Sequence, residues 1–302
     1  MKNIFENSNE KLEKIIYEKL DTIKASKEER EKAEYELSII KRNDEAKIFL
    51  FFYELANYMK NENIYFLSRG VNYTSLYCSY LLGLLEYNPI KYNLSTEAYE
   101  DKLSWFCMEI PQNKKAKIFK FIRERVGRNR LYKTTYFNER RNTIDIKVCT
   151  YLLSSKKDFD LEKVKINGRI AVKTDENKVY NSKDYFTFCL FHMYTLDELQ
   201  KVDADIDYCN FEEKAVYEYM TKVQLTPQFM DKEKIKDRKP TNLKELAYCV
   251  HDVVKANERN IPHWINRAIL YYKLAKLRML GLIDDSYELK DVETNDKKAC
   301  KI

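Results

Sequence analysis

Glycine is scarce in this chain, with five residues in 302, far below the roughly 7% of average proteins. A phosphate cradle of consecutive glycines is therefore not expected, and glycine-rich nucleotide folds are disfavoured. No run of about 18 apolar residues occurs, and the N-terminus is charged instead of carrying an apolar secretory core, so the expectation is a cytoplasmic protein with no membrane partner. The seven cysteines are scattered without a C-x-x-C pair, which favours reduced thiols over disulfides or zinc. The three histidines, His192, His251 and His263, are too dispersed to suggest a metal site.

What is present is enough to fold: 44% hydrophobic and 34% charged residues over this length bury a core of one or two domains. The net charge of +6 is too modest to announce a nucleic-acid binder, so the distribution of cations matters more than their sum. The 14% aromatic content goes with a general Lys, Tyr, Asn and Ile enrichment. It reads as core and boundary packing before it reads as base stacking.

The first 60 residues carry apolar positions at helical spacing (Ile16, Leu20; Ala33, Leu37, Ile40; Ile48, Phe52, Leu55), and Ser26 with Glu29 forms a capping-box signature. A short β-type run, Ile64 to Leu67, ends at Ser68-Arg69-Gly70, and a long apolar helix is expected from there to Leu85. Lys114 to Val126 is an amphipathic helix with Gly127 as its stop. Strands are expected at Leu131 to Phe137 and Tyr185 to Phe191. A hairpin is expected across Asn167-Gly168, with Val164 and Ile166 facing Ile170 and Val172. Further capping boxes at Thr195/Glu198 and Asn242/Glu245, and Pro262 opening a last helix, make the C-terminal part helical. The fold class is α+β, helix-rich, with a central mixed sheet flanked by helical regions.

Six short stretches, in order, resemble the C-family bacterial DNA polymerase III α chain, most closely its PolC type. They are Tyr65-Phe66-Leu67-Ser68-Arg69-Gly70 followed by Thr74-Ser75; Phe119 to Gly127 followed by Arg130-Leu131-Tyr132-Lys133; Ile166 to Val172; Phe186 to His192; Lys239 to Leu246; and Ile261-Pro262. The resemblance implies a nucleotidyltransferase-like palm over residues 61–195, with a reduced thumb-like insertion near 138–162. It also implies an N-terminal helical segment over 1–60 and a helical fingers-like region over 196–302.

Family catalysis needs an Asp-x-Asp pair on one strand and a third Asp on a later one, holding two magnesium ions. Aligned through the Lys114–Val126 helix, these positions fall on Trp105, Cys107 and Phe188, with only Glu109 acidic nearby. None of the three is a magnesium ligand, so the resemblance implies a pseudo-polymerase without cofactor. The triphosphate turn survives in part as Ser68, Arg69, Gly70, Thr74 and Ser75. The rival placement is Asp203, Asp205 and Asp207, which would make an active, magnesium-dependent nucleotidyltransferase. Cys189 with His192 could suggest a nucleophile and base, though burial in an apolar strand is the better reading.

The candidate DNA surface is the cation row Lys114, Lys115, Lys117, Lys120, Arg123, Arg125, Arg128 and Arg130, extended by Lys133, Arg140 and Arg141; its bland alternative is a solvated helix face. Expected partners are DNA and replication proteins, the third class being a scaffold protein that binds no nucleic acid.

Overall fold

The computed structural model describes residues 4–69, 73–100, 105–127, 129–138, 143–156, 159–166, 169–175, 179–193, 196, 210–223, 232–249 and 261–282. Three helices open the chain: α1 (Ser8–Thr22), α2 (Lys27–Arg42) and α3 (Ala46–Asn61). Helix α2 starts where the sequence says it should. The Ser26 hydroxyl accepts the Glu29 N–H at 3.3 Å, and the Glu29 carboxylate accepts the Ser26 N–H at 2.8 Å, satisfying two donors that the first turn otherwise leaves open.

Strand β1 (Leu67–Arg69) leads through a 3-10 turn (Tyr73–Ser75) into α4 (Tyr77–Leu81), which is five residues long. The expected long helix to Leu85 is therefore corrected. Gly83 takes φ +67°, and the N–H groups of Gly83 and Leu84 return to Tyr80 and Ser79 carbonyls at 2.8 and 2.9 Å. This is a left-handed helix stop that apolar periodicity cannot reveal.

A short α5 (Glu97–Glu100) precedes β2 (Cys107–Pro111), α6 (Lys115–Val126), β3 (Leu131–Asn138), β4 (Thr143–Ser154), β5 (Lys163–Ile166), β6 (Arg169–Lys173) and β7 (Tyr185–Met193). Then come α7 (Lys214–Val223), α8 (Lys232–Arg238), α9 (Leu243–Ala247) and α10 (Ile261–Met279). The strands form one sheet in the order β1-β2-β7-β4-β3-β6-β5. It is mixed: β2 with β7 and β3 with β6 run parallel, and the other pairs run antiparallel. The α+β expectation holds. Residues 143–154 are the longest strand of this sheet, paired to both β3 and β7.

The hairpin forms with a different register from the one expected. Val164 pairs with Ala171 and Lys165 with Ile170, because a two-residue connection pairs Ile166 with Arg169 and fixes every later partner. Ile170 is left 60% exposed. The Asn167-Gly168 turn and the Thr195/Glu198 capping box lie outside the described residues.

Side chains alternate across the sheet. One face, with Met108, Ile110, Tyr151, Leu153, Phe186, Phe188 and Leu190, joins α1, α2, α3 and α6 in the main core. Phe188 sits 4.9 Å from Phe51 and 6.1 Å from Phe52 between ring centroids, and Phe119 of α6 lies 4.7 Å from Tyr151. Each such ring contributes about 1.5–3 kcal/mol by leaving water. A second core gathers α7, α9 and α10 around Leu67 of β1.

Candidate functional site

On the other sheet face the register fixes a polar row. Residues paired across adjacent strands point to the same side, so Arg69, Cys107, Cys189 and Thr150 line up across β1, β2, β7 and β4. One step along, Leu67, Glu109 and Phe191 form the next row. Thr150 Oγ1 lies 3.5 Å from Cys189 Sγ. The Cys107 thiol meets the Cys189 thiol, and that hydrogen bond, followed by burial, pushes Cys107 above its ordinary range. The Tyr73 hydroxyl donates to the Cys107 carbonyl, and burial raises its own pKa.

Glu109 is 3% exposed and is held by two guanidinium groups. Arg69 Nη1 lies 3.3 Å and Arg267 Nη2 of α10 lies 3.1 Å from the same oxygen, Oε1. Arg69 also stacks over Phe191 at 4.5 Å. A buried carboxylate needs such compensation, because desolvation of an unpaired charge would cost several kcal/mol.

Of the expected carboxylate positions, Cys107 belongs to this face. Trp105 precedes β2 and is half-buried. Phe188 points into the main core, on the opposite face from Cys107. The partner that β7 presents to Cys107 is Cys189, one residue later than expected. Cys189 and His192 are three residues apart on one strand and so face opposite sides, which rules out a nucleophile and base pair. Asp203, Asp205 and Asp207 lie outside the described residues.

The turn after β1 spends its polar groups internally. Ser68 Oγ donates to the Leu84 carbonyl at 2.7 Å, Thr74 and Ser75 are fully buried, and the Thr74 carbonyl accepts from Tyr87 at 2.6 Å. Gly70 lies outside the described residues. The first N–H groups of α4, on Tyr77 and Cys78, donate to the Glu36 carboxylate at 3.0 and 2.8 Å. The chain's own anion therefore occupies the helix start. Burial pushes Glu36 up to about 7.

Helix α6 buries Ile118, Phe119 and Ile122 and exposes Lys117, Lys120, Arg123 and Arg125; Lys114 and Lys115 are half-buried at its start, and Arg130 is exposed beyond it. Lys117 pairs with Glu62, and Lys120 lies 3.9 Å from Glu124. Arg123 and Arg125 sit over Phe119 and Phe121 at 5.8 and 5.4 Å. Arg128, Arg140 and Arg141 lie outside the described residues. The exposed part of the row is thus Lys117, Lys120, Arg123, Arg125 and Arg130, partly neutralised by acids.

Sequence reasoning missed Arg267, Thr150 and Glu36. For Arg267 no local signal exists, since it meets Glu109 only through packing of α10. Glu36 carried one signal, an acid at an apolar-periodic position of α2 beside Leu37 and Ile40. Among the described residues no group of three or more His, Cys, Asp or Glu is placed to hold a metal ion, and no helix is long and apolar enough to cross a membrane.

A comparison with individually curated proteins finds no match. A family model, the bacterial DNA polymerase III alpha NTPase domain, matches residues 5–185, about three fifths of the chain. That span runs from α1 to the start of β7 and includes β1, its turn, β2 and α6. With its strand, buried turn and basic helix in the order already described, the chain belongs to the bacterial DNA polymerase III alpha family.

Proposed function

We propose that this is a degenerate palm of the PolC type that binds DNA through its basic helix and performs no magnesium-dependent nucleotidyl transfer. One observation carries the reading: the rows Arg69–Cys107–Cys189–Thr150 and Leu67–Glu109–Phe191 run inward from the edge strand β1 across β2 and β7. On this reading the pair of family carboxylates corresponds to Cys107 and Glu109, both on β2 and two residues apart, and the third to Cys189.

Magnesium, which the family implies, does not suit these donors. It takes hard oxygen ligands in near-octahedral array. Two of the three positions offer sulfur, and the single carboxylate is already bound by two arginines. No catalytic step is therefore derived through the metal. The positive charge that two cations would bring is supplied in part by Arg69 and Arg267. Residues 61–195 then form the palm and 196–302 the fingers-like part, with DNA or replication proteins as partners. The reading assigns the protein to the cytoplasm, where free cysteines stay reduced.

DNA binding rests on the exposed cations of α6 and Arg130. Contacts of this kind are mostly electrostatic, so affinity should fall steeply with salt. The test is titration of primed-template DNA at two salt concentrations, with Lys117→Glu, Lys120→Glu and Arg123→Glu combined. Expected are a marked salt dependence and loss of most affinity in the triple variant; binding that ignores both would refute the interface. In the same samples, deoxynucleotides with magnesium should give no primer extension. Extension abolished by Asp205→Asn would instead establish the active enzyme built on Asp203, Asp205 and Asp207.

A further inference from the structure

The row Arg69–Cys107–Cys189–Thr150 contains two thiols that face each other. Cys107 and Cys189 are register partners on the parallel strands β2 and β7. Their side chains therefore leave the same face of the sheet at the spacing of neighbouring strands, about 4.8 Å. That separation lies inside the range of roughly 4.4–6.8 Å between Cα atoms over which two cysteines can be bridged. Thr150, the partner of Cys189 on β4, brings its Oγ1 to 3.5 Å from Cys189 Sγ, and Arg69, the partner of Cys107 on β1, adds a guanidinium to the row. The other described cysteines are placed apart. Cys78 is on α4, Cys249 follows α9, and Cys149 on β4 precedes Thr150 and so takes the opposite face.

Both thiols are buried without being sealed off, Cys107 at 7% and Cys189 at 3% exposure, so a reagent the size of a peroxide needs little opening to reach them. The electrostatics agree with the geometry. The hydrogen bond from Cys107 holds Cys189 below its ordinary range, against burial and with help from Thr150, and the same bond raises Cys107. The thiolate is the nucleophilic form of cysteine. The row thus holds one sulfur favoured as a nucleophile and a second beside it, placed to resolve what forms on the first.

We propose that Cys107 and Cys189 form a peroxide-sensitive modification site, in which a hydroperoxide converts the two facing thiols into a reversible disulfide between β2 and β7. The Cys189 sulfur attacks one peroxide oxygen and the O–O bond breaks. The other oxygen leaves as water with the proton of the Cys189 thiol, and Cys189 becomes a sulfenic acid. The Cys107 sulfur then displaces that hydroxyl, which leaves as a second water with the proton of the Cys107 thiol. Two thiols are oxidised and one peroxide is reduced. A dithiol restores the pair by exchange. The bond is of the transient kind that a reducing compartment permits, and it forms whether or not the basic helix binds DNA.

The experiment treats the folded full chain with hydrogen peroxide, unfolds it, blocks the remaining thiols with a maleimide and maps the peptides by mass spectrometry without reduction. Expected is a linked pair of peptides carrying Cys107 and Cys189, lighter by two hydrogens than the free pair and separated by dithiothreitol. Cys107→Ser should leave Cys189 as a sulfenic acid, trapped by dimedone about tenfold more than Cys107 is in Cys189→Ser. Equal trapping in the two variants would overturn Cys189 as the attacking sulfur. In the wild-type chain, both thiols still blocked by maleimide after peroxide, or either one linked to another of the seven cysteines, would overturn the site. A cross-link that forms only when peroxide is added in urea would overturn it too, as would a sulfenic acid that persists at Cys189 beside an intact Cys107 thiol. These outcomes are read on the wild-type chain and stand even if a variant fails to fold.

Discussion

The two faces of the central sheet solve burial in opposite ways. Toward α1, α2, α3 and α6 the strands present Phe186, Phe188, Leu190 and Tyr151, and stability comes from ring packing. On the other side the same strands present Cys107, Glu109, Thr150 and Cys189, nearly as buried, with Glu109 and Thr150 satisfied by specific partners and the two thiols by each other. One face thus holds its strands by ring packing, and the other by paired polar and charged groups. Apolar packing tolerates no gap, whereas a polar row can exchange one set of partners for another.

Neighbours on β7 offer the sharpest contrast. Phe188→Ala should cost about 3–5 kcal/mol of unfolding free energy, and Cys189→Ala less than about 1.5 kcal/mol, because only the first opens a large cavity. Urea denaturation of both variants checks it, and equal losses would mean that the two faces are equally dependent on packing.

Glu36 is one of the ionisable groups buried on the apolar side. Its folded pKa of about 7 lies above the ordinary 4.5, so its stabilising contribution is full below about pH 4.5 and is lost as pH rises through 7. The difference in stability between wild type and Glu36→Gln should therefore change by on the order of 3 kcal/mol across that window and stay flat above it. Taking the difference cancels Glu29, Glu245 and Asp184, whose lowered pKa values act the other way at lower pH. A pH-independent difference would show that Glu36 stays ionised in the folded protein.

On the polar side, Glu109→Gln leaves two guanidinium groups without their anion and should cost about 2–3 kcal/mol. Adding Arg267→Met should recover part of that loss, since the remaining charge then keeps its stack on Phe191. If the double variant is no more stable than the single one, Arg267 is held by other contacts and the triad is not a unit.

Much of the fold was legible because it is local. The Ser26–Glu29 box, the amphipathic stripe of α6, the Gly127 stop at φ +95° and the Pro262 entry to α10 each depend on residues within a turn of one another. Errors arose where one non-local fact decides. The apolar run after Ser75 suits a helix until Gly83 adopts a left-handed angle beside Lys60, which donates to its carbonyl at 2.8 Å. The candidate site was half legible: Cys107, Glu109 and Arg69 were noticed, Cys189 was weighed only as a nucleophile, and Phe188, which the resemblance set beside Cys107, faces the main core. A shift of one residue on a strand reverses the face, and sequence matching tolerates such a shift.

By itself the sequence determined the three N-terminal helices, the Ser26–Glu29 cap, the exposed cations of α6, and a strand-turn-helix order after them. Tertiary structure alone decided which side of each strand meets which neighbour: Cys107 against Cys189, and Glu109 between Arg69 and Arg267. The reason is that alternation along a strand fixes only parity, whereas contact depends on the register of strands and helices brought together from distant parts of the chain.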